Sequence, residues 1–174
     1  MEQTNTQNFY QRAMHYGTLL GLVWSVMYVL IFRSLANPAI MSIAFALYIG
    51  SPFIAALYAK SYRDKECGGV IKFPQAWTFL FCIYFCATLF STLSNYIYLN
   101  FFDQGSFLLN AYNLLGETIA IPGIEEAAKE SLKAVQELMQ QMTTGDIVWS
   151  QFSNNVMSSL TVPPIIALFI RKTY

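Results

Sequence analysis

The sequence predicts an all-α, polytopic membrane protein: four transmembrane helices, with an amphipathic helical loop on the outward side between the third and the fourth. Three observations predict it. First, residues 13–32, 34–59, 73–102 and 147–170 run for 20, 26, 30 and 24 positions without Asp, Glu, Lys or Arg. A helix rises about 1.5 Å per residue and the hydrocarbon core is about 30 Å thick, so roughly 20 apolar residues cross it. Second, charged residues are 11% of the chain, against about 25% in soluble domains, and aromatic residues reach 16%. Third, the charges are segregated. Arg12, Lys60, Arg63, Lys65, Lys72, Arg171 and Lys172 flank one set of span ends. Arg33, Lys129 and Lys133 share the other with Asp103, Glu117, Glu125, Glu126, Glu130, Glu137 and Asp146. By the positive-inside rule both termini and the 60–72 loop are expected in the cytoplasm. The spans fall at about 13–33, 38–59, 74–100 and 147–170 of a single 1–174 domain, with 103–146 as the outward loop.

Span one carries Gly17-xxx-Gly21 followed by Ser25, small residues that let helix backbones approach where lipid gives no hydrophobic drive. Packing within one bundle is the expected use. Ser34-Leu35-Ala36 has the small residues of a cleavage site. The weak n-region, the long apolar run and Arg33 just before that site favour retention as a first helix. His15, the only histidine, sits near the start of the span, where an interfacial position is expected. Span two repeats the small-residue spacing with Ser51, Ala55 and Ala59.

Span three opens with Phe73-Pro74-Gln75-Ala76-Trp77 after the flexible Gly68-Gly69. Proline suits a first helical turn because its missing N–H would be unpaired there, and Trp77 suits the headgroup level. Cys82 and Cys86 share a face of this span and Cys67 lies in the preceding loop. Without a CxxC they read as small apolar side chains rather than a disulfide framework or metal site.

In the outward loop, apolar residues recur at Ile124, Ala128, Leu132, Val135, Met139 and Met142, the stripe of an amphipathic helix over 124–142. Glu125 with Lys129 and Lys133 with Glu137 stand at the i,i+4 spacing of ion pairs. A shorter apolar face, Phe107, Leu108, Ala111, Tyr112 and Leu115, precedes the Ile121-Pro122-Gly123 breaker. These two helices are expected to cap the bundle, lie on the membrane or dock a partner.

Span four is the unusual one. Asp146 is a candidate N-cap, and Trp149 is expected at the outer interface. Ser150, Gln151, Asn154, Asn155, Ser158 and Ser159 recur at i, i+1, i+4 and i+5, a polar face over nearly three turns. Such a face is expected to turn inward, with Asn95 of span three able to meet it, and is the candidate binding face. Pro163 and Pro164 follow and deprive the Ser159 and Leu160 carbonyls of their helical donors.

Little here points to catalysis: no nucleophile stands with its base, and there is no P-loop and no HExxH. The uncharged spans also disfavour ion-coupled transport, which keeps ionisable residues within the membrane. The protein is therefore expected to be no enzyme, with no cofactor and no metal.

Gly68-Gly69-Val70-Ile71-Lys72-Phe73-Pro74-Gln75-Ala76, and the span ending Tyr96-Ile97-Tyr98-Leu99-Asn100-Phe101-Phe102-Asp103, resemble a bacterial family of four-span membrane proteins defined only as domain of unknown function 4199. A Met- and Glu-rich outward helix and a short basic tail, here Arg171-Lys172, extend the resemblance over nearly the whole chain. Lys72 and Pro74 depart from the family pattern before span three. The resemblance implies this topology and a bacterial inner-membrane location, and carries no catalytic residues. The leading functional expectation is a non-enzymatic bundle acting as a partner or accessory subunit in the membrane. The alternative is binding or passive transport of a lipid or small solute along the span-four face. Expected partners are membrane lipid and another membrane protein or a second copy, with no nucleic acid.

Overall fold

The computed structural model describes residues 2–35 and 37–173, with the backbone alone for residues 2–7 and Pro38; Ala36, which closes the small-residue run after span one, lies outside the described residues. The elements are α1 (Glu2–Ser34), α2 (Pro38–Glu66), α3 (Phe73–Ile97) continued by a π-helical segment (Tyr98–Asp103), α4 (Ser106–Ile119), α5 (Glu126–Gln141) and α6 (Thr144–Ile170). Four stretches are long and apolar enough to cross a membrane: Asn8–Ser34, Ala39–Glu66, Phe73–Asp103 and Thr144–Ile170.

Local chemistry fixes the helix starts. Asn37 caps α2 by accepting a hydrogen bond from the Ala39 N–H at 3.0 Å, ahead of a helix that begins with Pro38. Lys72 precedes α3, with Pro74 in its first turn. The start of span four is a correction. Thr143, not Asp146, is the N-cap; its side chain accepts from the Asp146 N–H, and Asp146 accepts from the Thr143 N–H at 2.8 Å. This reciprocal capping box satisfies two orphan donors, so the helix begins one turn before the position of the acid.

α3 is the centre of the bundle. α1 and α6 pack along it, α2 packs on α1, and α2 meets α6 only lightly. The arrangement is apolar outside and partly polar inside. Phe45, Phe53, Leu57 and Phe169 are exposed, while Thr88, Ser91, Asn95 and Ser159 are fully buried. Water would drive the opposite sorting; lipid tails do not penalise exposed Phe and Leu, and buried polar groups find partners on neighbouring helices.

Both termini and the 60–72 loop gather at one end. Arg12 pairs with Glu66 at 2.9 Å, and the Arg63 guanidinium donates to the Ile170 carbonyl at 3.0 Å, closing the C-terminus of α6. Ile71 and Lys172 exchange two backbone hydrogen bonds of 3.1 Å. Below them Tyr62 stacks on Phe79 at 4.0 Å, with Phe9 edge-on to both rings. At the opposite, acidic end Arg33 donates to the Tyr98 hydroxyl at 2.8 Å and Phe32 packs edge-on to Phe107. Asp103 is buried there and accepts from the Phe107 N–H at 2.8 Å, anchoring the start of α4.

α4 and α5 form a hairpin through a turn in which Gly123 takes φ 92°, a conformation open to glycine. α5 buries no residue fully. Leu132, Gln136 and Met139 are half-buried on it; Gln136 reaches the Tyr112 carbonyl of α4 at 3.3 Å and Gln140 its hydroxyl at 3.0 Å. Of the expected stripe, Ala128, Val135 and Met142 are exposed instead. The expected pairing of Lys129 with Glu125 also shifts. Glu125 stands outside the helix as its N-cap, and Lys129 pairs with Glu126 at 2.8 Å.

Candidate functional site

The small residues of span one meet α3. A Cβ at Gly17 would lie 2.5 Å from the Cβ of Cys86 and 2.9 Å from the Ile83 carbonyl; one at Gly21 would lie 2.9 Å from the Cβ of Phe90 and 3.2 Å from the Ala87 Cα. No side chain fits at either position, so the two glycines set the α1–α3 distance. Ser25, one turn on, donates to the Gly21 carbonyl at 2.8 Å.

On the other flank the helices stand apart. A cavity of about 400 Å³ lies where α2 faces α6, with α1 and α3 as its floor; Trp24, Tyr28, Ser51, Tyr84, Asn155 and Ser158 are among its lining residues. A second groove, about 480 Å³, follows the same gap toward the basic end between Leu57 and Phe169, ending at Lys60 and Arg63; Phe53 lines both. Both helices beside the gap carry interior prolines, Pro52 in α2 and Pro163 and Pro164 in α6. Each removes a backbone donor and crowds the preceding turn, which works against straight, close packing. α6 nevertheless runs unbroken to Ile170.

The six polar residues of span four do not share one environment. Gln151, Asn155 and Ser159 are buried in a line of four-residue steps, Ser158 is half-buried at the cavity, and Ser150 and Asn154 are exposed. Successive helical residues are rotated by about 100°, so a face built of adjacent pairs is too broad for one interface. Its Ser150–Asn154 edge is turned away from the bundle.

At its Ser159 end the buried line meets α3. Ser159 lies 3.4 Å from the Thr88 hydroxyl, and each also donates to its own helix: Ser159 to the Asn155 carbonyl and Thr88 to the Tyr84 carbonyl. The helices are antiparallel, and about two turns further toward the acidic end stand Gln151 on α6 and Asn95 on α3. Both are buried and neither amide has a hydrogen-bond partner among the described residues. Asn155 accepts a 2.8 Å hydrogen bond from the Tyr28 hydroxyl through Oδ1, while its Nδ2 has no partner. The Tyr84 hydroxyl is likewise buried and unpaired.

Tyr28, Tyr84 and Trp24 are the residues that sequence reasoning missed. Their signal was position: Trp and Tyr favour the membrane interfaces, and Tyr84 stands eleven residues, about 17 Å of helix, inside the start of α3. A tyrosine that deep needs a partner for its hydroxyl. The remaining singled-out residues lie elsewhere. His15 is exposed near Arg12 and Glu66. Cys82 and Cys86 are unpaired thiols on α3, and burial pushes the Cys67 thiol above its ordinary pKa, keeping it protonated at neutral pH.

The cavity therefore presents neutral hydrogen-bonding groups, aromatic walls and no charged side chain among its lining residues. It can hold an uncharged polar group in an apolar surround.

Fold and cavity together define a polytopic membrane protein with a polar-cored four-helix bundle. The chain belongs to the family described as protein of unknown function (DUF4199), which matches residues 15–172. No curated protein and no solved structure matches it.

Proposed function

We propose that this protein is a non-catalytic membrane protein that holds a lipid-like molecule or small amphiphile in the cavity between α2 and α6. One observation carries the reading. Two polar atoms that have no partner among the described residues, Asn155 Nδ2 and the Tyr84 hydroxyl, belong to residues only 7% and 2% exposed, and both line the same cavity. A buried polar group without a partner costs about 1–3 kcal/mol, so two at one cavity favour a bound molecule that satisfies them. The lateral opening between α2 and α6 lets such a molecule enter from the bilayer. The test is mass spectrometry of the protein released from mild detergent: a small molecule should accompany the native chain and be depleted by Asn155→Leu. Equal occupancy in a folded variant would end the reading.

A role as partner or accessory subunit is the second reading, and the hairpin favours it. Val135 and Leu138 are 46% and 63% exposed on a helix whose main packing is against α4, an apolar edge available to another membrane protein or to the membrane surface. Crosslinking from Leu138 that captures no protein would remove it.

We further infer a bacterial inner-membrane location with the basic end in the cytoplasm, on the charge asymmetry of the span ends. In a Cys67→Ser background, single cysteines placed at Asn8 and Gln136 should label from opposite sides. Labelling of both from one side refutes the orientation.

A further inference from the structure

We propose that the α2–α6 cavity takes a neutral lipophile with a planar, carbonyl-bearing head and an apolar tail, the chemistry of an isoprenoid quinone; this rests on the binding role proposed above.

The polarity of the unpaired atoms selects the head. Asn155 Oδ1 is occupied by the Tyr28 hydroxyl, so the atom it leaves free is Nδ2, a donor; the Tyr84 hydroxyl is a second group able to donate. A ligand that satisfies both presents acceptors, and carbonyl oxygens are acceptors without hydrogens of their own.

Depth excludes a charged head. Asn155 is fifteen residues from Ile170 and eleven from Thr144, about 23 Å and 17 Å of helix, and Tyr84 is about 17 Å from Phe73. Both therefore lie in the middle of the bilayer. A phosphate or carboxylate at that depth would be buried against neutral groups only, a cost no contact in the cavity offsets. Lys60 and Arg63 are the cations at the end of the second groove, and nine residues of α2, about 14 Å, separate the nearer, Lys60, from Ser51 in the cavity. In a glycerophospholipid the ester carbonyls and the phosphate are a few bonds apart. A phospholipid that placed its esters at Asn155 would hold its phosphate within a few bonds of the same neutral groups, well short of the Lys60 backbone position.

Shape selects a ring and a chain. Trp24, Tyr28, Tyr48 and Tyr84 line the cavity, and aromatic side chains pack well on a flat conjugated head. Phe53 lines both the cavity and the groove between Leu57 and Phe169, whose other lining side chains are apolar until Lys60, so an isoprenoid tail leaving the cavity beside Phe53 has an apolar path along the bundle.

The experiment uses the full chain in dodecyl maltoside with Trp77→Phe and Trp149→Phe, which leaves Trp24 as the one reporter of the three tryptophans. Decylubiquinone should quench it saturably, and lysophosphatidylglycerol should not compete. Tyr84→Phe should weaken the quinone about five-fold, the scale of one hydrogen bond, and Asn155→Leu by at least as much. Thermal unfolding checks the fold, and Tyr84→Phe, which keeps the ring, decides the matter if Asn155→Leu does not fold. Unchanged quinone affinity in folded variants overturns the proposal. So does displacement by lysophosphatidylglycerol, or a native ligand that depends on Asn155 while decylubiquinone does not bind; in these two cases the binding role stands and only the ligand class fails. Absence of both probe and native ligand sinks both.

Discussion

α1 against α3 and α2 against α6 are both parallel neighbours of similar length in one bundle, yet the first pair is closed and the second open. The closed seam has glycine at its two tightest points, where a Cβ would approach Cys86 to 2.5 Å and Phe90 to 2.9 Å. It has no proline within either helix beyond the first turn of α3. The open pair has Pro52 on one side and Pro163 and Pro164 on the other, and bulky Tyr48, Phe53 and Phe169 along its edge. Small residues alone do not close a helix pair: Ser51, Ala55 and Ala59 are buried on α2, yet α2 spends its contact on α1. In lipid the default between two helices is separation. Close contact needs a smooth backbone face, and a gap persists where prolines disturb the helices and aromatics hold them apart.

The largest expected effect comes from closing space that does not exist. Gly17→Val should destabilise the fold by about 3 kcal/mol or more, because its Cβ meets Cβ and backbone atoms that cannot rotate away. Cys86→Gly should restore only part, since the Ile83 carbonyl remains 2.9 Å away. Thermal unfolding in detergent measures both. An unchanged midpoint for Gly17→Val would show that α1 and α3 are not held by this seam.

Filling the gap should have the opposite signature. Ser158→Phe projects a ring into the cavity from a half-buried position, and should lower occupancy by the copurifying molecule more than about ten-fold while stability stays within about 0.5 kcal/mol of the native chain. A large loss of stability would mean that the cavity is packed in the bilayer. A smaller change follows from Pro52→Ala, which returns a donor to the Tyr48 carbonyl and should stabilise α2 by about 1 kcal/mol while weakening occupancy. If occupancy does not move, the proline does not hold the gap open. The smallest effect is expected for Tyr28→Phe, which removes the 2.8 Å hydrogen bond to Asn155 and should cost about 0.6 kcal/mol, the average for such bonds between membrane helices. A cost above about 2 kcal/mol would make Tyr28 a structural pin rather than part of the cavity's polar set.

Four spans, their order and the gathering of seven basic residues at one end were legible in the chain because each is a local or summed property. A run of twenty uncharged, mainly apolar residues is helical in lipid whatever its neighbours, since only a helix satisfies the backbone within the segment itself. Gly17 and Gly21 could be singled out as a close-packing pair for the same reason: four-residue spacing puts them on one face of any helix. Rotation about the helix axis is different. It decided that Gln151, Asn155 and Ser159 are buried in the bundle while Ser150 and Asn154 are exposed, and that α5 turns Gln136 rather than Val135 toward α4. It also brought Tyr28 to Asn155 across 127 positions of sequence, and left α2 leaning on α1 so that a cavity opens beside α6. Periodicity gives the faces of a helix; which face meets which neighbour depends on the steric fit of all four helices at once, and that fit exists only in the assembled bundle.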